Sequence, residues 1–302
     1  MLACATVPAA PAHARGVRWV VLARVAGQAG WVRGVGQAVR ARWVDRAEPL
    51  PPAAPGGGPA ERAATAGPSR WVPPPHLTWY WQLQGRLRIE PVQVTDVDAF
   101  DTTAATVARL HALGQHVICY VDVGTWESWR PDARRFPRAL LGRPDGWPGE
   151  RWLDIARLRA LEPIMRARLA MCAGKRFDAV EPDNIDGVGN RTGFALTARD
   201  QLRYDEWVAR TAHSLGLAVL QKNDPGQARA LEPYFDGVLD EQCNQYAECA
   251  AFAPYLRAGK PVLNAEYRAS LYPGFCAADA RLGISGALYS VALDGSRFRP
   301  CW

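Results

Sequence analysis

Eight short apolar runs, at 79–85, 92–98, 116–123, 179–184, 218–224, 237–244, 261–267 and 286–292, constrain this chain more than any other feature. Each ends in polar or charged residues. Helical stretches separate most of them: 103–113 stops at Gly114, 158–172 at Gly174 and 198–215 at Gly216, where a helix end favours a left-handed residue. Alternating strand and helix patterns are the signature of a parallel sheet. Eight such runs in about 230 residues predict an α/β protein with a closed (β/α)8 TIM barrel. No G-x-G-x-x-G follows the first run, which argues against a dinucleotide-binding sheet. The long gap after the third run holds Trp126, Trp129, Trp147 and Trp152. It predicts a large loop over the barrel's C-terminal face.

The barrel is expected to occupy residues 71–302, after a leader and linker at 1–70. The stretch 47–70, AEPLPPAAPGGGPAERAATAGPSR, is rich in Pro, Gly and Ala and has no aromatic residue, so it is expected to be disordered. The net charge of +6 sits there too, as nine Arg against Asp45, Glu48 and Glu61. The remaining 27 basic and 27 acidic residues cancel. Because the leader's Arg are mixed with Ala and Gly rather than clustered, no nucleic-acid partner is expected. No window has the roughly 18 apolar residues of a membrane span.

Six of the seven Cys fall in the body, an even number that permits disulfides and leaves 15 pairings open. A secreted or cell-envelope protein is therefore expected, although no signal peptide is evident. Met1-Leu2-Ala3-Cys4 resembles the end of a lipoprotein signal, so a lipid anchor on Cys4 is a second expectation. No cysteine or histidine spacing suits a zinc site, and no metal is expected. A monomer is expected.

In such a barrel, catalytic groups come from the C-terminal ends of the strands, and these ends are rich in carboxylates. The segment AVEPDNIDG places Glu181 and Asp183 at the same parity, with Asp183 nearer the mouth; an Asx turn would explain the acids equally well. Two strands further round, GVLDEQCNQY offers Glu241. Glycoside hydrolysis needs two carboxyl groups flanking the bond, and strand ends four and six can supply Asp183 and Glu241. Lys222, between them on strand five, would hold Asp183 ionised, or alternatively form a Schiff base. Trp79, Tyr80, Trp81, Trp126 and Trp129 are candidates for stacking on sugar rings.

Taken in order, WYWQLQG (79–85), VTDVDAFDT (95–103), ICYVDVGTWESWRPD (118–132), WLDI (152–155), VEPDNIDG (180–187), NRTGF (190–194), LDEQCNQY (239–246) and GKPVLNAEY (259–267) resemble the endo-α-1,4-polygalactosaminidase family of glycoside hydrolases. The resemblance implies a TIM barrel that cleaves α-1,4-linked galactosamine in an extracellular amino-sugar polysaccharide, with no cofactor. It also implies Asp183 and Glu241 as the catalytic pair. A retaining mechanism is expected, with Asp183 as nucleophile and Glu241 as acid and base. Trp79, Tyr120, Asp122, Asn184, Lys222, Glu266 and Tyr267 are the expected substrate-binding residues, with Asp122 or Glu266 receiving ammonium groups. Val123, where the family often has Ser, and the leader depart from the pattern. A non-catalytic carbohydrate-binding barrel of the cell envelope is the alternative.

Overall fold

The computed structural model describes residues 70–302, so the expectations for 1–69, Cys4 included, lie outside the described residues. In chain order the strands are β1 (Trp79–Gln82), β2 (Val94–Asp98), β3 (His116–Asp122), β4 (Thr125–Glu127), β5 (Leu141–Pro144), β6 (Glu150–Leu153), β7 (Ala179–Asp183), β8 (Ala218–Lys222), β9 (Gly237–Glu241), β10 (Val262–Glu266), β11 (Ser285–Tyr289) and β12 (Phe298–Pro300). The helices are α1 (Ala104–Ala112), α2 (Leu158–Gly174), α3 (Ala198–Ser214), α4 (Ala228–Leu231), α5 (Ala253–Arg257) and α6 (Gly274–Leu282).

The order β1-β2-β3-β7-β8-β9-β10-β11 is parallel throughout and contains all eight strands expected from the sequence, each within a few residues of its expected ends. Side chains close the seam between β11 and β1. Tyr289 donates its hydroxyl to Trp79 O at 3.2 Å, and Trp79 Nε1 donates to Ser285 O at 2.9 Å. Strand β12 pairs antiparallel with β11, and its Phe298 packs on Tyr80 and Tyr289.

Strand periodicity of two sorts the core into two layers. Val97, Val117, Val180, Val219 and Val238 face the helices, whereas Trp79, Trp81, Ile118, Leu220, Leu239 and Tyr289 fill the barrel. Helices α1 and α3 end as expected, with left-handed Gly114 and Gly216 (φ +77° and +80°). Helix α2 does not. It runs through Gly174, and Arg176 takes the left-handed turn at φ 66°, because Phe177 must enter the core: its N–H bonds Cys172 O while the N–H of Arg176 bonds Ala173 O.

One pinning device recurs at the strand starts. Asp178 Oδ2 accepts from Val117 N (2.7 Å) and lies 2.8 Å from His111 Nε2; Asp236 Oδ2 accepts from Val219 N (2.9 Å) and lies 2.8 Å from His213 Nε2. Each Asp thus locks its strand to the neighbour at the base of the barrel.

The long insertion after β3 folds as an antiparallel sheet, β4-β6-β5, standing over the mouth. Buried ions hold it there. Arg130 grips Asp98 with both terminal nitrogens (2.9 and 2.5 Å) and Glu127 with Nε (2.6 Å). Arg168, reaching up from α2, bridges Glu127 (3.3 Å) and Asp132 (2.8 Å) and donates to Asp122 O at 2.6 Å. Since a buried charge is tolerable only when paired, these arginines fix the wall of the mouth relative to β2 and β3.

All six cysteines of the described residues are paired, as Cys119–Cys172, Cys243–Cys249 and Cys276–Cys301. Among these residues no helix is long and apolar enough to cross a membrane.

Candidate active site

The C-terminal ends of the strands open into a cleft of about 490 Å³. Period-two alternation aims Glu181 and Asp183 of β7, Leu220 and Lys222 of β8, and Leu239 and Glu241 of β9 toward the barrel axis. Immediately after Asp183, Lys222 and Glu241 the chain turns left-handed, at Asn184 (φ 60°), Asn223 (φ 51°) and Gln242 (φ 68°). Asn accepts this conformation more readily than most residues. The three reversals leave Asp183, Lys222 and Glu241 as the last inward residues of their strands.

Lys222 is the centre of the site. Its Nζ lies 2.9 Å from Asp183 Oδ1, 2.9 Å from Glu181 Oε1 and 3.4 Å from Glu241 Oε2, above the Trp81 ring at 4.8 Å. Burial opposes its charge, but Asp183, Glu181 and Glu241 together outweigh burial and hold it well above the usual lysine range. A Schiff base requires a neutral amine, so this lysine is an electrostatic partner rather than a nucleophile.

Both carboxylates are further fixed. Asp183 Oδ1 also accepts from Asn184 N at 2.8 Å, and Oδ2 accepts from the Tyr120 hydroxyl at 2.7 Å. Glu241 Oε1 accepts from the Tyr267 hydroxyl and Oε2 from Asn223 Nδ2 at 3.3 Å, while Glu241 N donates to Asn223 Oδ1 at 2.9 Å. The β3 and β7 loops can approach only because residue 124 is Gly: a Cβ there would sit 1.7 Å from Asn184 O.

The structure therefore brings Tyr120, Asn184, Lys222 and Tyr267 into the cleft beside Asp183 and Glu241. It places three other expected residues elsewhere. Trp79 is fully buried below the cleft, and Trp81, two residues nearer the strand end, lines it instead. Asp122 is buried under the mouth, where Gly124 N, Thr125 N and Asn184 Nδ2 donate to it at 3.1, 2.7 and 2.8 Å; its oxygens brace the turn and do not face the cleft. Glu266 has the outward parity of β10 and accepts from Asn244 N at 2.9 Å behind the barrel wall. Its neighbour Tyr267 points inward.

Of the loop tryptophans, Trp129 and Trp147 line the cleft, whereas Trp152 is buried and Trp126 donates to Ala133 O at 2.9 Å. The sequence reading missed Asp145 and Glu150, which the insertion carries to the mouth, and gave Asn223 no role. Only Asn223, at a strand end beside Lys222, left a usable signal. Among the described residues, the one group suited in type to a metal is Cys243, Cys249 and Asp279. The two thiols form a disulfide, and Asn244 and Asn264 donate to the Asp279 carboxylate at 2.6 and 2.9 Å, so it does not fit an ion.

A (β/α)8 barrel with paired carboxylates at its C-terminal mouth is a scaffold for glycoside hydrolysis. The chain belongs to glycoside-hydrolase family GH114, whose model matches residues 60–300, and it is a glycoside hydrolase. This bears out the family expected from the ordered motifs. The chain is similar to Aspergillus fumigatus Ega3, solved in complex with galactosamine, at 29% identity and a TM-score of 0.72, covering 79% of this chain and 100% of that one. The glycoside hydrolase domain of PelA from Pseudomonas aeruginosa shares the fold at 14% identity and a TM-score of 0.57, covering 72% and 96%. No curated protein matches the chain.

Beside the cleft, Thr125 donates to Asp122 and lies 3.1 Å from Glu150 Oε2. Burial, with Glu127 and Asp183 nearby, pushes the Asp122 carboxyl up to about 8; burial, with Asp122 and Asp145, pushes Glu150 up to about 11. A carboxyl whose folded pKa exceeds its unfolded value binds a proton on folding, so stability is fully present below the unfolded pKa and declines as pH rises through the folded one. Denaturant unfolding is expected to show stability falling from about pH 4, to about pH 8 for the Asp122 part and on toward about pH 11 for the Glu150 part. Glu150→Gln should flatten that fall. A slope unchanged by the substitution contradicts the assignment.

Proposed function

We propose that the protein is an exported, endo-acting, retaining hydrolase of α-1,4-linked galactosamine polysaccharide, with Asp183 as nucleophile and Glu241 as acid and base. The observation carrying this reading is the single ammonium of Lys222 shared by both carboxylates. At 2.9 and 3.4 Å from Nζ, Asp183 Oδ1 and Glu241 Oε2 are held closer together than about 6.5 Å, where the inverting range begins. That proximity supports retention over inversion.

In the first step Glu241 gives its proton to the glycosidic oxygen while an Asp183 oxygen bonds to the anomeric carbon. The bond to the leaving sugar breaks, and a glycosyl ester remains on Asp183. In the second step Glu241 takes a proton from water, whose oxygen bonds to the anomeric carbon and releases Asp183. Lys222 offsets whichever carboxylate is charged.

The amino-sugar preference rests on the cleft's distribution of charge. The loops after β2, β3 and β7 supply Asp101, Asp145 and Asp186, while those after β11 and β1 supply Val291, Leu293 and Leu83. Acids on one flank suit ammonium groups, and apolar side chains on the other suit the faces of sugar rings. The likeness to Ega3, which was solved with galactosamine, supports the same preference. Export is supported by the three disulfides, which persist in oxidising compartments.

Incubated with partly deacetylated galactosamine polymer, the protein is expected to release soluble oligosaccharides. Asp183→Asn and Glu241→Gln should each cut the rate by about 10²–10⁴-fold. Absence of release from this and related amino-sugar polymers, or full activity in Asp183→Asn, overturns the reading. For export, thiol labelling of the protein recovered from its own cells is expected to leave Cys119, Cys172, Cys243, Cys249, Cys276 and Cys301 unlabelled until reductant is added. Free thiols at these positions contradict it.

A further inference from the structure

Below the reacting pair lies a second layer of charge. Asp96 of β2 and Glu181 of β7 both point into the barrel beneath Lys222, and both are fully buried. Glu181 Oε1 lies 2.9 Å from Lys222 Nζ, close enough for an ion pair though off the angle of a hydrogen bond. Neither oxygen of Asp96 receives a hydrogen bond from any N–H or hydroxyl. The charged groups that face Asp96 are Glu181 and Asp183 of β7 and Lys222 of β8, and the Tyr289 hydroxyl of β11 is turned to Trp79 O. The charged group that acts most strongly on Asp96 is thus another carboxyl group, Glu181.

Two carboxylates buried side by side with one ammonium would leave an uncompensated charge inside the barrel. A single proton between them removes the excess below Lys222, while Asp183, at the mouth, keeps its own donors in Tyr120 and Asn184. We propose that Asp96 carries this proton and donates it to Glu181, which remains a carboxylate and fixes the Lys222 ammonium from below, between Asp183 and Glu241. Asp96 and Glu181 are then positioning residues. This inference rests on the catalytic reading of Asp183 and Glu241.

The arrangement keeps the charge of the site constant through the reaction. Before the first step Glu181 and Asp183 are negative, Lys222 is positive, and Glu241 and Asp96 are neutral. After it, Asp183 is a neutral ester and Glu241 is negative, so the sum is unchanged. Lys222 has only to strengthen its contact with one neighbour as the other is neutralised. Anchored by Glu181, its Nζ does this without leaving the midpoint; without that anchor the ammonium would follow the charge.

The test uses full-length protein and hydrolysis of galactosamine polymer across pH. Glu181→Gln is expected to lower kcat by about 10–100-fold, with KM changed less than kcat. Removing a negative charge next to Asp183 and Glu241 should also move both limbs of the pH profile to lower pH. Asp96→Leu, which removes the donor, should lower kcat similarly. Asp96→Asn, which restores a neutral donor of the same shape, should recover most of the loss and return the profile to its original position. Independently of activity and of the stability of any Glu181 variant, infrared difference spectra of wild type against Asp96→Asn should show the loss of one protonated carboxyl carbonyl band near neutral pH. The proposal is overturned if that band is absent, if Asp96→Asn is as impaired as Asp96→Leu, or if Glu181→Gln keeps its kcat and pH profile. Because the infrared measurement needs no turnover, it still decides the protonation if the polymer proves to be the wrong substrate.

Discussion

One ammonium group buried among carboxylates organises this protein's mouth. Lys222 Nζ has almost no access to water, and it is stable there only because Asp183, Glu181 and Glu241 converge on it. The same group is what allows those three acids to lie so close together. Glu181 is the one of the three that is fully buried, and without it the ammonium would have no anion beneath it where water does not reach. Stability and chemistry therefore rest on the same contacts.

The barrel makes this convergence possible through two ordinary properties of strands. Alternation sends every second side chain inward, so acids spaced by two on β7 stack as an upper and a lower layer, Asp183 above Glu181. Left-handed residues at the strand exits then stop each strand where its last inward side chain reaches the mouth. Outside the ring, Arg130 and Arg168 pin the insertion that walls the cleft, and Asp178 and Asp236 pin the strand starts. The site is held from above and below by buried charges paired across elements.

Much of this was legible in the sequence, and the failures have a common cause. Strand number, order and parity follow from local pattern, which is why Glu181, Asp183, Lys222 and Glu241 could be placed at one mouth. Depth along a strand is harder: Trp79 and Trp81 share a face, but only Trp81 is high enough to line the cleft. Parity at a strand's last residue is harder still, and Glu266 and Tyr267 were both assigned to the cleft although adjacent residues must point oppositely. Asp122 failed because its partners, Gly124, Thr125 and Asn184, take up its oxygens in a turn that no periodicity encodes. Asp145 and Glu150 ride on an insertion whose position is fixed by long-range ion pairs. The disulfide pairing, one of 15, depends on three-dimensional closeness alone.

The central claim is that Asp183 and Glu241, sharing Lys222, act as nucleophile and acid/base. It is tested most directly by quenching the protein rapidly during turnover of an activated amino-sugar glycoside and locating any covalent sugar by peptide mass. The account predicts one glycosyl unit on the peptide that carries Asp183. Steady turnover with no adduct, or with the sugar on a different residue, would contradict it.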